Sequence, residues 1–267
     1  MPHYIASYWL HDLSPIIVKL GPLTLRWYGV FFISGFIFAY FIFKKLIRQK
    51  LFRFPVEQVD NLLLYLLVSV VIGARLLYVL VYSESYNVYF QYPWKVFAVW
   101  EGGLSFHGGL LGIVFLGLWI SKKIKISYLH FADIVSLVSP LGLGFGRLGN
   151  FMNGELYGRE AHIPWAIIFP QGGNIPRHPS QLYESLFEGF LLFIILWLCR
   201  KRLHNQGFIF TLFLFLYGTF RFTIEFFRQP DSQMGFYFGF LSMGQILCLF
   251  MIASAVALTY RLSSKPA

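Results

Sequence analysis

Charged residues are scarce in this sequence, and their scarcity excludes an ordinary soluble domain. Asp, Glu, Lys and Arg make up 13% of the 267 residues, whereas soluble domains contain about 25%. Hydrophobic residues make up 57% and aromatic residues 20%. Apolar segments of about 18 residues or more recur, and each is long enough to cross a hydrocarbon core of about 30 Å. The composition therefore predicts an all-α, polytopic integral membrane protein.

Cysteine is also rare, and no metal-binding pattern is present. The two cysteines, Cys199 and Cys248, fall in apolar segments, which favours small buried residues over reactive thiols. No spacing of Cys and His resembles a metal site. The N-terminal stretch "MPHYIASYWLHDLSP" has no basic region followed by an apolar run, so we expect no cleavable signal peptide.

The apolar segments predict about seven transmembrane helices. A further stretch, 88–100, is too short and too rich in Pro and aromatic residues to span easily, which suggests an interfacial or re-entrant segment. The fifth span is short, and we expect it to extend back into "QLYES". The predicted spans are about 27–43, 59–82, 104–120, 131–150, 186–199, 208–227 and 241–260.

The basic clusters predict the orientation of these helices. With seven spans, the clusters 44–53, 121–125, 200–202 and the C-terminal tail all fall on one face. The positive-inside rule makes that face cytoplasmic, with the N-terminus periplasmic and the C-terminus cytoplasmic. The chain 1–267 is then expected to be a single transmembrane domain with periplasmic segments 83–103, 151–185 and 228–240.

The net charge of +10 is explained by this topology and by attraction to anionic lipid. It does not indicate a nucleic-acid partner, because no soluble basic domain is present to bind one.

Ionisable side chains inside a membrane span are costly and indicate functional sites. Arg75 in "VIGARLLYVL" is such a residue, although a structural ion pair or interhelical hydrogen bond would explain it equally well. Asp133, near the start of the fourth span, is expected at the cytoplasmic interface or beside a basic loop. We therefore give Asp133 little functional weight.

The stretch "GFGRLGNFMNGELYGR" (144–159) places an arginine among glycines. Its first six letters match the G-x-G-x-x-G fingerprint of dinucleotide-binding folds, but that fingerprint requires a strand before it and a βαβ unit around it. The glycines allow helices or a ligand head group to approach closely. Arg147 and Asn150 share a helical face, and Glu155 and Gly158 follow. We interpret this stretch as an anion-binding site.

A second charged stretch is "RFTIEFFR" (221–228). Arg221, Glu225 and Arg228 lie on one helical face near the outer end of the sixth span. Glu225 can neutralise one arginine. We expect the remaining positive charge to need an anionic partner.

Three further stretches carry polar side chains at the same expected depth. In "EGGLSFHGGLLG" glycine pairs flank His107, and imidazole ionises nearest to neutral pH, so His107 is the first candidate for a general base. In "RHPSQLYESLFEG", His178 precedes a polar stripe that includes Glu184. Tyr28 in "LRWYG" belongs either to this site or to an aromatic belt.

These sites lie on different spans but share one level near the outer leaflet. A cavity there would hold arginines, a histidine, a tyrosine and carboxylates between apolar walls. Arginine forks bind phosphate oxygens in a bidentate manner, while acyl chains would remain in lipid. The residues therefore predict a site for an anionic phospholipid.

The motifs also carry a family resemblance. "GRLGNFMNGELYGR" resembles the signature of bacterial prolipoprotein diacylglyceryl transferases. "RWYG", "HGGLLG", "HPSQLYE" and "RFTIEFFRQPD" resemble the other motifs of that family, in the same order, from about residue 20 to 260. The combination is highly specific, whereas any one motif alone would be weak.

The resemblance implies a reaction and a location. The diacylglyceryl group of phosphatidylglycerol is transferred to the lipobox cysteine thiol of a prolipoprotein, which forms a thioether and releases glycerol 1-phosphate. The family works in the bacterial inner membrane, with its site towards the periplasm, and needs no metal or organic cofactor. The partners implied are phosphatidylglycerol, a prolipoprotein signal peptide and membrane lipid.

The resemblance also implies residue roles. Arg147 would hold the head group, Arg221 would act on the same phosphate or on the leaving group, and His107 would accept the thiol proton. An arginine-polarised thiol and lipid-assisted proton transfer stay open as alternatives to His107. The full expected set is catalytic His107, Arg221 and Tyr28; lipid-binding Arg147, Asn150, Glu155 and Gly158; and supporting Arg75, His178, Glu184, Glu225 and Arg228.

Two other functional classes compete with the transferase. A lipid-binding scaffold or transporter without chemistry would keep the arginines but would not need His107. A retinal protein is disfavoured because the seventh span, "LSMGQILCLFMIASAVALTY", contains no lysine for a Schiff base.

Overall fold

The structure is a computed structural model, and it describes residues 8–21, 23–82, 86–229, 237 and 241–264. Helices dominate these residues, as the composition predicts. The helices are α1 Trp27–Arg48, α2 Val59–Leu77, α3 Tyr86–Gln91, α4 Phe106–Lys123, α5 Tyr128–Met152, α6 Ser180–Glu184, α7 Leu192–Leu198, α8 Phe208–Ile224 and α9 Met243–Ser263.

Helices occupy all seven predicted positions, and the chain is a polytopic membrane protein. Among the described residues, five helical spans are long and apolar enough to cross a membrane: Trp27–Arg48, Val56–Val81, Tyr128–Met152, Ser180–Leu198 and Met243–Ser263. The sixth predicted span is the shorter apolar helix α8. The third corresponds to α4, which has 18 residues and ends in Lys122 and Lys123. The orientation of the termini stays a prediction.

The fifth span does extend back beyond residue 186, as expected. It begins at Ser180 with α6, continues through a π-helical stretch over Ser185–Leu191 and ends with α7. The stretch 88–100 is not one helix. It consists of the end of α3 followed by short 3₁₀ turns at Pro93–Phe97 and Val99–Glu101.

Short strands, which the sequence did not predict, accompany the helices. β2 (Ile16–Leu20) and β3 (Leu23–Arg26) form an antiparallel pair immediately before α1. In a second small sheet, β1 (Trp9–Leu10) pairs in parallel with β4 (Ile167–Ile168). β4 in turn pairs antiparallel with β5 (Pro176–Arg177). These strands order segments outside the helices and leave the all-α class unchanged.

The described fold divides into two compact units. One comprises residues 1–42 and 133–267, and the other comprises residues 43–132. We refer to them as the first unit and the second unit.

Glycines let the helices of the first unit approach backbone to backbone. A Cβ atom added to Gly189 would overlap the backbone of Gly144 in α5. The hydroxyl of Ser185 donates to the Gly144 carbonyl at 2.9 Å. The glycines of the arginine stretch therefore pack α5 against the π-helical part of the fifth span, which agrees with a small-residue packing role.

Asp133 caps helix α8 and has no contact that suggests catalysis. Its carboxylate is fully buried. It accepts hydrogen bonds from the backbone N–H groups of Gly207 (2.6 Å) and Phe210 (2.7 Å). Gly207 has a φ of 92°, a left-handed conformation that favours glycine. Asp133 thus satisfies donors at the N-terminus of α8 that would otherwise be unpaired inside the membrane.

We predict that Asp133→Ala destabilises the protein by about 1–3 kcal/mol, because it leaves two N–H groups at the start of α8 without an acceptor. The thermal midpoint of the purified protein in detergent measures the effect. Asp60→Ala is the matched control, because Asp60 is an exposed acidic residue in the first turn of α2. Equal midpoints for the two variants would contradict the capping role.

Candidate functional site: an arginine–glutamate cluster

Arg147 lies in the last two turns of α5 and contacts a carboxylate from the fifth span. Its Nε is 2.8 Å from Oε2 of Glu184. Its Nη1 points to Oδ1 of Asn150 at 3.4 Å. Among the residues that the structure describes, no hydrogen bond uses Nη2. The outer edge of the guanidinium is therefore available to an anion.

Glu184 joins the arginines of separate helices. Its side chain has no exposed surface. While Oε2 faces Arg147, Oε1 accepts a short hydrogen bond of 2.5 Å from Nη1 of Arg221 in α8. The same oxygen is 3.7 Å from Nε of Arg228. A buried carboxylate is tolerated in a membrane protein when such partners surround it.

Arg221 is surrounded by carboxylates. Besides Glu184, its guanidinium lies 3.6 Å from Glu188 and 2.7 Å from Glu225. Glu188 follows Glu184 by one turn within the π-helical stretch, and such stretches often occur at functional sites. The sequence suggested that one positive charge on α8 would be left for an anionic ligand. Instead, the three arginines of the cluster face three glutamates, Glu184, Glu188 and Glu225.

Glu225 also connects the cluster to α9. Its Oε1 accepts a hydrogen bond of 3.0 Å from the hydroxyl of Ser242. Ser242 is the N-cap of α9 and forms a capping box with Gln245, an arrangement that satisfies two free backbone donors. One glutamate thus fixes the end of α8 against the start of α9.

Asn150 and Glu155 continue the network beyond α5. The Asn150 amide donates to Oε1 of Glu155 at 2.8 Å, and Asn153 donates to the same oxygen at 3.0 Å. The side chain of Gln181 donates to the Glu155 backbone carbonyl at 2.6 Å. These contacts run from Arg147 to the segment after α5. They fix the orientation of the Asn150 amide, whose oxygen faces Arg147.

Tyr28 and Gly158 both lie where chain segments pack closely together. A Cβ atom on Gly149 would lie 2.6 Å from the ring of Tyr28, so the tyrosine packs against α5 beside Arg147 and Asn150. At Gly158, a Cβ atom would lie 2.5 Å from the Phe227 carbonyl oxygen and 2.6 Å from that of His178. Gly158 therefore lets the segment after α5 pass close to the end of α8. Its observed contacts are packing contacts.

His178 belongs to a hydrogen-bonded group beside this segment. Its Nδ1 is 3.2 Å from the hydroxyl of Tyr183, which also accepts from the indole N–H of Trp165 at 2.7 Å. Burial lowers the pKa of His178 below the ordinary histidine value. A neutral His178 supports the loop that precedes α6, and its contacts do not reach the arginine cluster.

Arg75 lies in the second unit, where it binds backbone carbonyls. It donates to Val96 at 2.9 Å, to Lys95 and Gly102 at 2.6 Å, and to Gly103 at 3.1 Å. Its side chain is buried. A buried cation held by several carbonyls is a structural element, and it fixes the segment 95–103 that leads into α4.

His107 also lies in the second unit, in the first turn of α4. It is exposed, and its ring lies 5.8 Å from the ring of Phe106. Ser105 caps this helix end by accepting from Gly108 N–H at 3.3 Å. The predicted site residues therefore divide between the units: Arg75 and His107 lie in the second, and all the others lie in the first. The role of His107 as a base stays a prediction.

Comparison with known proteins identifies the family. The sequence profile of the prolipoprotein diacylglyceryl transferases matches residues 15–261. The chain belongs to this family.

Relatives from several bacteria match it along most of their length. A protein from Geobacter sulfurreducens is 48% identical over 235 residues, which cover 88% of this chain and 90% of the relative. One from Mannheimia succiniciproducens is 49% identical over 255 residues and 94% of each chain. One from Desulfotalea psychrophila is 46% identical over 262 residues and 96% of each. All three are named phosphatidylglycerol–prolipoprotein diacylglyceryl transferase.

In this member of the diacylglyceryl transferase family, the sequence predicted most residues of the arginine–glutamate cluster. It did not predict which of these residues contact one another. Glu184 was expected only as a supporting residue in a polar stripe, whereas it is the carboxylate that Arg147 and Arg221 share. Ser242 was not anticipated at all. A serine immediately before an apolar helix, followed by Gln at the third helical position, is a recognisable capping signal. However, nothing local to it indicates Glu225.

We predict that Glu184→Gln destabilises the folded protein by about 3 kcal/mol or more, because it removes a buried charge that three arginines face. Thermal unfolding in detergent and binding of a fluorescent apolar dye measure the loss. Glu160→Gln is the control, since Glu160 forms an exposed pair with His162 at 3.4 Å and such pairs contribute little. A Glu184→Gln protein as stable as this control would refute the central role of the carboxylate.

Proposed function

We propose that this protein transfers the diacylglyceryl group of phosphatidylglycerol to the lipobox cysteine of prolipoproteins. The products are a thioether-linked lipoprotein precursor and glycerol 1-phosphate. Membership of the family and the shared name of relatives along nearly the whole chain support this proposal. The reaction takes place in the bacterial inner membrane, at a site open towards the periplasm.

The geometry of Arg147 is the observation that carries the proposal. Among the three arginines of the cluster, its side chain is the most exposed, at 23% against 12% for Arg221 and 13% for Arg228. Its Nε faces Glu184 and its Nη1 faces Asn150, which leaves Nη2 to donate to a phosphate oxygen. Hydrogen bonds from a guanidinium to a phosphate are strong because both groups are charged.

The chemistry places negative charge where this arginine lies. The cysteine sulfur forms a bond to the glycerol carbon that carries the phosphate, and the carbon–oxygen bond breaks. The oxygen keeps the electron pair and leaves with the phosphate, which changes from a diester with one negative charge to a monoester with a second one. A fixed guanidinium stabilises that developing charge because it needs no reorganisation during the reaction.

Arg221 acts indirectly in this proposal. Three carboxylates occupy its guanidinium, so it holds Glu184, and Glu184 in turn orients Arg147. Arg228 and Glu225 belong to the same supporting set. The lipid head group and the arginine that binds it are held in place by Tyr28, Asn150 and Glu155. Gly158 allows the segment after α5 to pass close to the end of α8.

The thiol must lose a proton before or during attack, because the thiolate is the reactive form. His107 is the proposed acceptor. Arg75 acts on His107 through the backbone, because it fixes the segment 95–103 immediately before α4. An arginine-polarised thiol and proton transfer to the lipid phosphate are the alternatives.

We predict that Arg147→Ala lowers transfer at least 100-fold, because it removes the cation that faces the leaving phosphate. Arg147→Lys should restore only part of the rate, since an ammonium cannot bind two oxygens in the same plane. Labelled phosphatidylglycerol and a lipobox peptide, with the thioether product detected by mass spectrometry, provide the assay. Arg261→Ala, at the exposed end of α9, is the control.

The outcome separates a transferase from a lipid-binding or transport protein. If the unaltered protein binds phosphatidylglycerol but forms no thioether product with this peptide, the protein is not the enzyme. If Arg147→Ala retains full turnover, the lipid site is elsewhere.

We predict that His107→Gln lowers kcat by about 100-fold or more, because general-base catalysis typically contributes about 10²–10⁴-fold. The kcat measured with the lipobox peptide tests this, and His162→Gln is the control because His162 is exposed. A His107→Gln protein with normal kcat would leave proton transfer to the alternatives.

A further inference from the structure

Helices α2 and α4 touch through their backbones in the second unit. A Cβ atom on Gly73 would overlap the carbonyl oxygen of Gly108, and one on Gly108 would overlap that of Gly73. One turn further along, Gly112 faces the carbonyl oxygen of Ser69 in the same way. The glycines of "HGGLLG" are therefore used in a helix contact. Along the line where the two helices meet, Gly73, Gly108 and Gly112 contribute no side chains.

Large apolar side chains lie on both sides of this line, so that the helix contact forms the bottom of a groove. Val68, Ile72 and Leu76 form one wall, and Leu111 and Phe115 form the other. The groove has a volume of about 530 Å³. Its wall residues are largely exposed within the protein, so the groove opens towards the surrounding lipid in the membrane.

One end of the groove carries aromatic rings and positive charge. The rings of Tyr65 and Trp119 meet edge to face, with their centroids 5.6 Å apart. The ammonium group of Lys123 lies 4.6 Å from the centroid of the Trp119 ring. Lys122 is exposed beside it. Tryptophan and lysine in this order are typical of a helix end at the lipid head groups.

The length of the groove fits one lipid leaflet. At about 1.5 Å per residue, the stretch of α4 from Gly108 to Trp119 rises about 16 Å. Half of a hydrocarbon core of about 30 Å is about 15 Å. A chain that entered beside Trp119 would follow the groove to the middle of the bilayer or slightly beyond it.

We propose that this groove binds an acyl chain of an anionic phospholipid whose phosphate lies against Lys122 and Lys123. The apolar walls hold the chain, and the two ammonium groups select a negative head group. Lysines near a membrane surface attract anionic lipid electrostatically. By the positive-inside prediction, the lipid belongs to the cytoplasmic leaflet. None of the groove residues is assigned to the transfer reaction.

Quenching of Trp119 by brominated lipid tests the proposal. The purified protein is reconstituted in phosphatidylcholine vesicles that contain increasing fractions of phosphatidylglycerol with brominated acyl chains. A parallel series uses brominated phosphatidylcholine. Brominated chains quench a tryptophan that they touch. Subtracting the signal of Trp119→Phe isolates Trp119 from the other tryptophans among the seven in the chain.

The expected result is a preference for the anionic lipid. Half of the Trp119 quenching should occur at an about tenfold lower fraction of phosphatidylglycerol than of phosphatidylcholine, which corresponds to about 1.4 kcal/mol. Equal midpoints for the two lipids would overturn the proposal. Trp119 fluorescence that neither lipid quenches would also overturn it, because another protein surface would then cover the groove.

Two variants test the two parts of the site separately. In Lys122→Gln/Lys123→Gln, the phosphatidylglycerol midpoint should move to that of phosphatidylcholine. Lys201→Gln/Arg202→Gln removes two positive charges from another basic segment and should keep the preference. Val68→Phe fills the groove and should reduce quenching by both lipids. A preference that survives the loss of Lys122 and Lys123, or quenching that Val68→Phe leaves unchanged, would contradict the proposed site.

Discussion

The first unit depends on one buried carboxylate that two arginines share at short distance. Glu184 has no exposed surface, yet it contacts Arg147 through one oxygen and Arg221 through the other. In an apolar environment neither the carboxylate nor the guanidinium groups are stable alone. Each charge therefore requires the others, and α5, α8 and the fifth span must come together to satisfy them. The same requirement that stabilises the helix arrangement also fixes the guanidinium of Arg147 in one orientation.

The three arginines do not form a surplus of positive charge, because glutamates lie against them. A surplus of positive charge on α8 would bind any anion, but Arg221 is neutralised by glutamates on its own helix and on the fifth span. In the proposed reaction, anion binding then depends on Arg147, because no carboxylate of the described residues contacts Nη2 of its guanidinium. A site built this way discriminates by geometry more than by net charge. Such discrimination suits an enzyme that must distinguish a phosphodiester from the carboxylates around it.

The helix positions and most residues of the cluster could be predicted from the sequence. The contacts among those residues could not, because they join segments that are distant in the chain. Apolar runs predicted all seven helix positions because crossing a bilayer imposes a length and a composition that are visible locally. Arg147, Glu184 and Arg221 were recognisable because a charge within such a run is costly. The contacts among these three residues could not be recognised from the sequence, because Glu184 is 37 residues from both Arg147 and Arg221. The short strands were also missed, because β1, β4 and β5 have two residues each, too few to show a periodicity, and β2 and β3 have only five and four. Asp133 was expected at the cytoplasmic interface or beside a basic loop, and its role as the cap of α8 was missed because it depends on a segment more than seventy residues away.

The glycines show that the same sequence feature can have different structural roles in two parts of one protein. In the first unit, Gly144 and Gly189 remove side chains so that α5 can approach the fifth span, which brings Arg147 within reach of Glu184. In the second unit, Gly73, Gly108 and Gly112 remove side chains in the same way, but the residues beside them are large and apolar. The first contact therefore assembles charges, whereas the second leaves an apolar groove open to lipid. Glycine pairs flank His107, and Gly108 and Gly109 are buried against α2, whereas His107 itself is exposed. Small residues set how closely two helices approach, and the neighbouring side chains determine what that approach produces.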